Sequence, residues 1–405
     1  MERGYLSRND QGLIEIVALN EDPMASWRME TSELPKSVTA VTDKGSALIL
    51  AITGSGHTTA FGPLASVRRY RARVLIAGLD PERLRSDRIS SLTLYFPGIG
   101  RWSGLRSYDE NFEHGEKGLL KTYSVKLGSP TDQIANVGRS TELVVSSHWQ
   151  VSGPGDRRIL YTPTAITCRS SRPRPIRELR DRLSWFHALL CLAHLGFVTA
   201  DGGAATVDSS QEDLRPEYWD SRFMFRPPGV AEPSEPAFPL FTLETLGGIG
   251  SLPRWLRLCE KHPRATRPIT ETYLRGGLSA TVRLLEVASG IEYWVNAHSR
   301  SAAWARRKGP KSRLLADHVG SCFNSWSGDG ERWADEFWKT YNRLKHEPSF
   351  SPDYRKTALL AESGALLLAA ALLNRVAGTK EPSRVMFDQA HRTWQIRDAL
   401  KEVLS

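Results

Sequence analysis

The feature that most constrains the fold is a change of sequence pattern near residue 175. From residue 13 to about 170 the chain consists of short runs rich in β-branched residues, such as LIEIVAL, SALILAITG and ISSLTLYF, separated by Gly, Pro, Asp and Ser. This spacing is typical of an all-β domain. In IRELRDRLSWFHALLCLAHLGF, which begins at Ile176, apolar residues recur at helical spacing instead. We therefore predict an α+β, multidomain protein in which a sandwich-like β domain precedes a helical bundle.

The change of pattern divides the chain into three predicted segments. Residues 1–175 are predicted as an all-β domain, residues 176–267 as a helical linker with a Pro-rich loop, and residues 268–405 as a bundle of helices with short connections. The first helix of the bundle is expected to open at Thr270, which can cap a helix start just after Pro268. No helix longer than two turns is expected before residue 170.

Composition places the chain among globular proteins, because 40% of its residues are hydrophobic and 12 are Trp. Its first residues, MERGYLSRNDQG, are charged where a signal peptide would be apolar. The longest apolar run, Gly364 to Leu373, is about half the length that a membrane-spanning helix needs. The four cysteines lie far apart, which suits reduced thiols. We expect a cytoplasmic protein without a membrane partner.

The formal net charge of +9 is compatible with a polyanionic partner such as RNA. Basic residues cluster in RRYRAR (68–73), in RSSRPRPIRELRDR (169–182) and in ARRKGPKSR (305–313). Each cluster taken alone is more typical of a solvated loop or strand edge. The clustering therefore permits a nucleic-acid surface without defining one.

Three residues have the spacing of a metal site. His187, Cys191 and His194 stand at i, i+4 and i+7, so a helix would place them on one face. The same face carries Leu190 and neighbouring aromatic residues, and no fourth ligand lies nearby in the sequence. We therefore predict no metal and no cofactor.

The segment WKTYNRLKHEPSF (338–350) carries a different chemistry. On a helix, Asn342, Lys345 and His346 lie within one turn, and Arg343 lies on a neighbouring face. A cation beside an exposed imidazole can hold phosphate oxygens while the imidazole transfers protons, and RNA supplies its own 2′-hydroxyl as nucleophile. The simpler alternative is a helix end whose cations complement the helix dipole before Pro348, and the residues alone favour it.

Resemblance to a known family changes this balance. The run from Asn342 to His346 resembles the HEPN nuclease motif, in which Arg, often followed by Asn, precedes His by four to six residues. RLLEVASG places Glu286 where similar ApeA-like HEPN domains carry an acidic residue. ISSLTLYFPGIGRWSG (89–104) resembles the β-rich domain of ApeA-type proteins, and IRELRDRLSWFHALL resembles the helix that joins the two parts. The resemblance covers most of the chain.

The resemblance implies an anti-phage defence protein of the abortive-infection kind, whose HEPN domain cuts RNA, for example tRNA, without a metal. It also implies a homodimer through the C-terminal helices, and a sensor or regulatory role for the N-terminal domain with a phage-derived trigger. The expected anchors of the dimer are Trp333, Phe337 and Trp338, unless all three belong to the chain's own core. His346 would act as general acid or base, and Glu286 would orient a cation. The remaining predicted site residues are Asn342, Arg343 and Lys339 for catalysis, and Lys345, Tyr341, Arg306, Arg307 and Lys308 for RNA binding.

One departure from the motif leaves an alternative open. Tyr341 stands where the commonest form has Arg directly before Asn, and tyrosine can donate a hydrogen bond but supplies no charge. Either Arg343 or Lys339 then supplies the cation, or the chain is a catalytically impaired HEPN-type dimer that binds RNA or a protein partner without cutting. A third class is a carbohydrate- or peptide-binding sandwich with a helical dimerisation module.

Overall fold

A computed structural model of the protein describes residues 3–9, 12–20, 36–42, 45–58, 66–79, 87–115, 118–207, 216–230 and 238–405. Within these ranges a β-rich N-terminal region precedes a helical C-terminal region, so the predicted fold class is confirmed. The strands are β1 (Arg3–Arg8), β2 (Ile14–Asn20), β3 (Ser37–Thr42), β4 (Gly45–Thr58), β5 (Ser66–Leu79), β6 (Arg88–Phe96), β7 (Tyr108–His114), β8 (Leu120–Leu127), β9 (Gln133–Gly138), β10 (Thr141–Ser147), β11 (Gln150–Ser152), β12 (Ile159–Tyr161), β13 (Thr164–Pro175), β14 (Gly202–Thr206) and β15 (Glu217–Asp220).

Within the described ranges, eleven strands form one antiparallel sheet, in the order β1-β2-β5-β15-β14-β6-β13-β10-β9, with β4 paired to β5 and β3 paired to β4. The sheet forks at β5. One edge of β5 pairs with β4, while its other edge pairs first with β2, up to Ala72, and then with β15, from Val74 onward. Two short ribbons, β7–β8 and β11–β12, stand apart from this sheet.

Two strands of the sheet lie beyond the predicted boundary at residue 175. β14 and β15 belong to the segment predicted as helical linker and loop, yet they lie between β5 and β6 in the sheet. The prediction was wrong here because β14, with the sequence GGAAT, has almost no β-branched residues. Its small residues are needed for close packing, since a Cβ on Gly203 would lie 2.6 Å from the Thr93 carbonyl oxygen.

The helices are α1 (Gly100–Ser103), α2 (Ile176–His194), α3 (Ser221–Met224), α4 (Leu252–Lys261), α5 (Pro263–Thr270), α6 (Thr272–Arg275), α7 (Ala280–His298), α8 (Lys311–Val319), α9 (Ser321–Ser327), α10 (Gly330–His346), α11 (Tyr354–Ala377), α12 (Glu381–Arg384) and α13 (Trp394–Leu404). In the described part of residues 13–170 the four-residue α1 is the only helix, as predicted. The predicted start at Thr270 was wrong. Thr270 ends α5, and Ser279 caps α7 by accepting a hydrogen bond from the Val282 amide.

The apolar run Gly364 to Leu373 lies within α11. This helix is long and apolar enough to cross a membrane, but 78% of its most apolar stretch of 18 residues is buried inside the protein. Gly364 is essential to its packing, because a Cβ there would lie 2.4 Å from the ring of Phe337. The indole nitrogen of Trp333 donates to Ser363 Oγ at 2.9 Å. α11 is therefore a helix of the protein core, closely packed against α10.

The sheet and the helices share one continuous hydrophobic core. α2 packs on β13 and β6 on one side and on α4 and α5 on the other. A bidentate ion pair ties this helix to the sheet, with Arg180 Nε and Nη2 lying 2.5 and 2.9 Å from the carboxylate of the fully buried Asp220. Arg169 and Arg174 of the same basic cluster pair with Glu142 and Glu178. This cluster thus serves the fold, in line with the simpler interpretation.

Candidate active site

α10 has one buried face and one exposed face. Asp329 begins the helix, its side chain accepting hydrogen bonds from the amides of Glu331 and Arg332 at 3.0 and 3.1 Å. Trp333, Phe337 and Tyr341 follow at i, i+4 and i+8 and point into the core. Trp333 and Phe337 are fully buried in the protein's own core, so the prediction that they anchor a dimer was wrong. Trp338 is half-buried against Tyr341, with ring centroids 5.2 Å apart.

The exposed face carries three of the predicted catalytic residues. Lys339, Asn342 and His346 stand at i, i+3 and i+7, and all three are exposed. Among the residues that the structure describes, none of these side chains has a hydrogen-bond or ion-pair partner. At 1.5 Å per residue, Lys339 and His346 are about 10 Å apart along the helix axis. We call these three residues the α10 stripe.

Arg343 lies beside the stripe but is engaged elsewhere. Its Nε is 2.9 Å from Glu347 Oε2, and its guanidinium carbon is 3.8 Å from the centroid of the Phe350 ring. The ion pair is half-exposed, so it contributes at most about 1 kcal/mol and a phosphate group can compete for the guanidinium. In this arrangement the charge of Arg343 is compensated by Glu347.

Tyr341, at the position of the usual arginine, links α10 to α7. Its ring is only 4% exposed, and its hydroxyl donates to Glu292 Oε2 at 3.1 Å while accepting from Lys345 Nζ at 3.2 Å. The hydrogen bond to Tyr341, together with the nearby Glu292 carboxylate, raises the pKa of Lys345. Because the ring is packed in the core, any contact of Tyr341 with RNA has to come through its hydroxyl group.

A second acidic residue of α7, Glu292, bonds to α10. Glu286 is half-buried on α7 and, within the described part of the chain, makes no hydrogen bond or ion pair. Glu292 lies six residues later, about 9 Å along the helix axis, and bonds to Tyr341. Sequence reasoning missed Glu292 because the register of α7 against α10 is a tertiary property.

The predicted basic segment follows α7. Arg306, Arg307 and Lys308 are all exposed, and Arg306 Nη2 donates to the Arg300 carbonyl at 3.1 Å. α7 and α10 run in the same direction where they touch. A Cβ on Gly364 would lie 2.4 Å from the Phe337 ring and 3.1 Å from Val287 Cγ1, and further along both helices Glu292 accepts a hydrogen bond from Tyr341. The basic segment therefore comes after the C-terminal end of α7. His346, the last residue of the α10 stripe, lies toward the same end of the two helices.

The described residues hold no group of three or more His, Cys, Asp or Glu side chains that could bind a metal ion. His187 lies 2.7 Å from the Val198 carbonyl oxygen and 3.5 Å from Cys191 Sγ. Burial lowers the pKa values of His187 and His194 to about 4 and raises that of Cys191 to about 12. These three groups are neutral parts of the core.

Comparison with known proteins bears on the N-terminal part. The sequence model for ApeA N-terminal domain 1 matches residues 2–255, more than half of the chain. The chain belongs to this ApeA family. Membership points to a role in anti-phage defence. The match covers the sheet and α2, and it ends before the α10 stripe. No curated protein and no solved structure matches the chain.

Proposed function

We propose that this ApeA-family protein is an anti-phage defence ribonuclease of the abortive-infection kind, acting in the cytoplasm. Its helical region would cleave RNA at the α10 stripe without a metal ion. The observation that carries the proposal is the exposed His346 on the same helix face as a cation, Lys339, and an amide, Asn342. An imidazole in this setting can exchange protons with a substrate that is held by its phosphate.

The reaction follows from these groups. His346 accepts the proton of a ribose 2′-hydroxyl, and the 2′ oxygen attacks the adjacent phosphorus. The bond from phosphorus to the 5′ oxygen breaks, and the protonated His346 gives its proton to that oxygen as it leaves. The products are a 2′,3′-cyclic phosphate and a 5′-hydroxyl. Asn342 donates to a phosphate oxygen, and Lys345 with the segment Arg306, Arg307 and Lys308 binds flanking phosphates.

Among the cations, we assign stabilisation of the phosphorane charge to Lys339. Lys339 shares the exposed face with His346, whereas the guanidinium of Arg343 is already compensated by Glu347. Glu292 takes the orienting role that was predicted for Glu286, since it fixes the hydroxyl of Tyr341 and, through it, the ammonium of Lys345. Arg343 remains the second choice, because its exposed ion pair is weak.

The proposal includes a homodimer in which two α10 stripes share one cleft. Since Trp333 and Phe337 are core residues, the contact has to use exposed residues of the C-terminal helices. Light scattering at micromolar concentration should give twice the mass of one chain. A monomer that retains cleavage activity would contradict a shared cleft.

The sheet region, which the family match covers, would sense a phage-derived trigger.

A second candidate function is RNA or protein binding without cleavage. Two observations favour it. Tyr341, whose ring is packed in the core, stands where the motif usually has arginine, and Arg343 contacts Glu347 and Phe350. Under this proposal the α10 stripe binds phosphates but lacks a cation placed for the transition state.

One experiment separates the two candidates. Purified protein is incubated with total RNA and with tRNA in the presence of EDTA, and the fragment ends are identified. The ribonuclease proposal expects fragments with 2′,3′-cyclic phosphates, and it expects them to disappear in His346→Ala. His391 is also exposed and lies against Trp394, with ring centroids 4.0 Å apart and the rings tilted by 45°, so His391→Ala provides a matched control. RNA binding without any cleavage would favour the second candidate.

A further inference from the structure

A cleft of about 730 Å³ lies where the sheet region meets the helices, away from the α10 stripe. Its lining includes Arg73 of β5, Trp185 of α2 and Phe225, which follows α3. Arg267 of α5 and Arg275 of α6 also line it. The volume is in the range of small-molecule sites, and such sites are common at junctions between structural units.

Guanidinium groups dominate the charge of this cleft. Among the described residues, Arg73, Arg222, Arg267 and Arg275 line it together with two carboxylates, Asp181 and Glu271. Each carboxylate is shared. Glu271 contacts both Arg267, at 3.3 Å, and Arg275, while Asp181 contacts Arg222 at 3.6 Å and Arg177 at 3.7 Å. Positive charge therefore exceeds negative charge along the lining, and an anion would be attracted.

The excess of positive charge is also seen around Arg222. Burial, followed by the neighbouring Arg180, lowers the pKa of Arg222. The nearest buried carboxylate, Asp220, is held by both nitrogens of Arg180 and compensates that residue first. Arg222 Nη1 donates to Ser184 Oγ at 2.7 Å, which fixes the guanidinium at the cleft wall. A bound anion would supply the missing negative charge to an already positioned donor.

The cleft also has an apolar, partly aromatic side. Trp185 and Phe225 are half-buried, and Pro227, Pro228 and Leu274 extend the same surface. Flat aromatic rings beside guanidinium groups suit a ligand that combines phosphate with a planar ring. Phosphate groups satisfy arginine forks, and a nucleobase fits against an indole or phenyl face.

We propose that this cleft binds a nucleotide, with its phosphates among the four arginines and its base against Trp185 and Phe225. Such a ligand would contact the sheet region through Arg73 and the helical region through Arg267 and Arg275 at the same time. Binding would therefore hold the two regions together. This site is independent of the proposed cleavage reaction.

The test uses the full-length protein and isothermal titration with ATP, GTP and inorganic pyrophosphate. Arg73→Gln and Arg275→Gln change exposed side chains, so both variants should fold, which thermal unfolding verifies. Each should weaken ATP and GTP binding by about tenfold or more. Arg355→Gln is the matched control. Arg355 is an exposed arginine paired with Glu402 at 2.6 Å outside the cleft, and this variant should bind as the wild type does.

The variant Trp185→Leu tests whether the nucleobase packs against the indole ring. It should weaken the binding of ATP and GTP and leave that of pyrophosphate unchanged. Binding of neither nucleotide at millimolar concentration would overturn the proposal, as would an equal loss in Arg355→Gln. Pyrophosphate binding as tightly as ATP, with no effect of Trp185→Leu, would overturn the assignment of a nucleotide. Single-stranded RNA that occupies the cleft and is not displaced by ATP would overturn it as well.

Discussion

The helices α2 and α10 both carry histidines whose sequence spacing suggests a functional site. The surroundings of these histidines are opposite. The ring of His187 on α2 is packed among Phe96, Phe197 and Phe223, with ring centroids 5.8, 5.0 and 5.4 Å away. His346 on α10 is exposed at a helix end. Spacing selects both sites, and burial decides which imidazole can exchange protons with a substrate.

The largest expected effect concerns the exposed histidine. His346→Ala should lower RNA cleavage by about 10²- to 10⁴-fold, the usual contribution of a general acid or base. Its thermal midpoint should match that of the wild type, because the side chain makes no contact that supports the fold among the described residues. Rates are measured with purified protein, and growth arrest in cells gives a second readout. Unchanged cleavage would remove the α10 stripe as the active site.

The buried histidines should instead make stability depend on pH. Because the folded-state pKa values of His187 and His194 are about 4, against an ordinary value of 6.5, the unfolded chain takes up protons first as pH falls. Their stabilising contribution is full above pH 6.5 and is lost progressively toward pH 4, by up to about 3 kcal/mol for each histidine. Asp220 opposes this shift at His187, Arg222 adds to it, and Arg392 adds to it at His194.

Urea unfolding at pH 7.5, 6.0 and 5.0 measures this loss. The variant His194→Leu removes one of the two groups, so stability should fall about half as steeply with pH as in the wild type. An equal slope in both proteins would mean that other groups cause the acid sensitivity.

The next effect distinguishes the cations near His346. Lys339→Ala should lower the cleavage rate about 10²-fold with little change in RNA affinity, as expected for loss of a transition-state cation. Arg343→Ala should mainly weaken RNA binding and reduce its salt slope by about one unit, because that guanidinium is paired with Glu347. The opposite result, a large rate loss in Arg343→Ala alone, would transfer the role to Arg343.

The smallest expected effect is a gain. Tyr341→Arg restores the common motif and places a guanidinium next to Glu292, which now accepts from the Tyr341 hydroxyl. Cleavage should rise by up to about tenfold if the site is a weakened nuclease, with Tyr341→Phe as the uncharged control. No gain here, together with no loss from Arg343→Ala or Lys339→Ala, would leave no cation for the mechanism and favour binding without cleavage.

Much of the fold was predictable because its signals are local. The start of α2 at Ile176 and the helical character of the C-terminal region follow from periodicity alone. β14 was not predictable, since GGAAT becomes a strand only by fitting between β6 and β15. Thr270 failed as a helix start because its hydroxyl bonds back to the Thr266 carbonyl within α5.

For the candidate site, helical periodicity predicts the exposed position of Asn342 and His346. The same periodicity is consistent with the buried ring of Tyr341, the third member of an apolar row with Trp333 and Phe337, although Tyr341 was predicted as an RNA-binding residue. What it cannot provide is the choice of Glu292 over Glu286 or the pairing of Arg343 with Glu347 and Phe350. Those depend on neighbours that the sequence does not place next to one another.

The position of β14 and β15 in the sheet has a consequence for how the protein is made. β5 and β6 leave the ribosome one after the other, but they can be joined only by strands that are translated after α2. Until Asp220 has emerged, the nascent chain carries two open strand edges, which invite pairing with other chains. The ion pair of Arg180 with Asp220 becomes possible at that same moment. A truncated chain ending at residue 175 should therefore aggregate during synthesis, whereas one that continues through α3 can close its sheet.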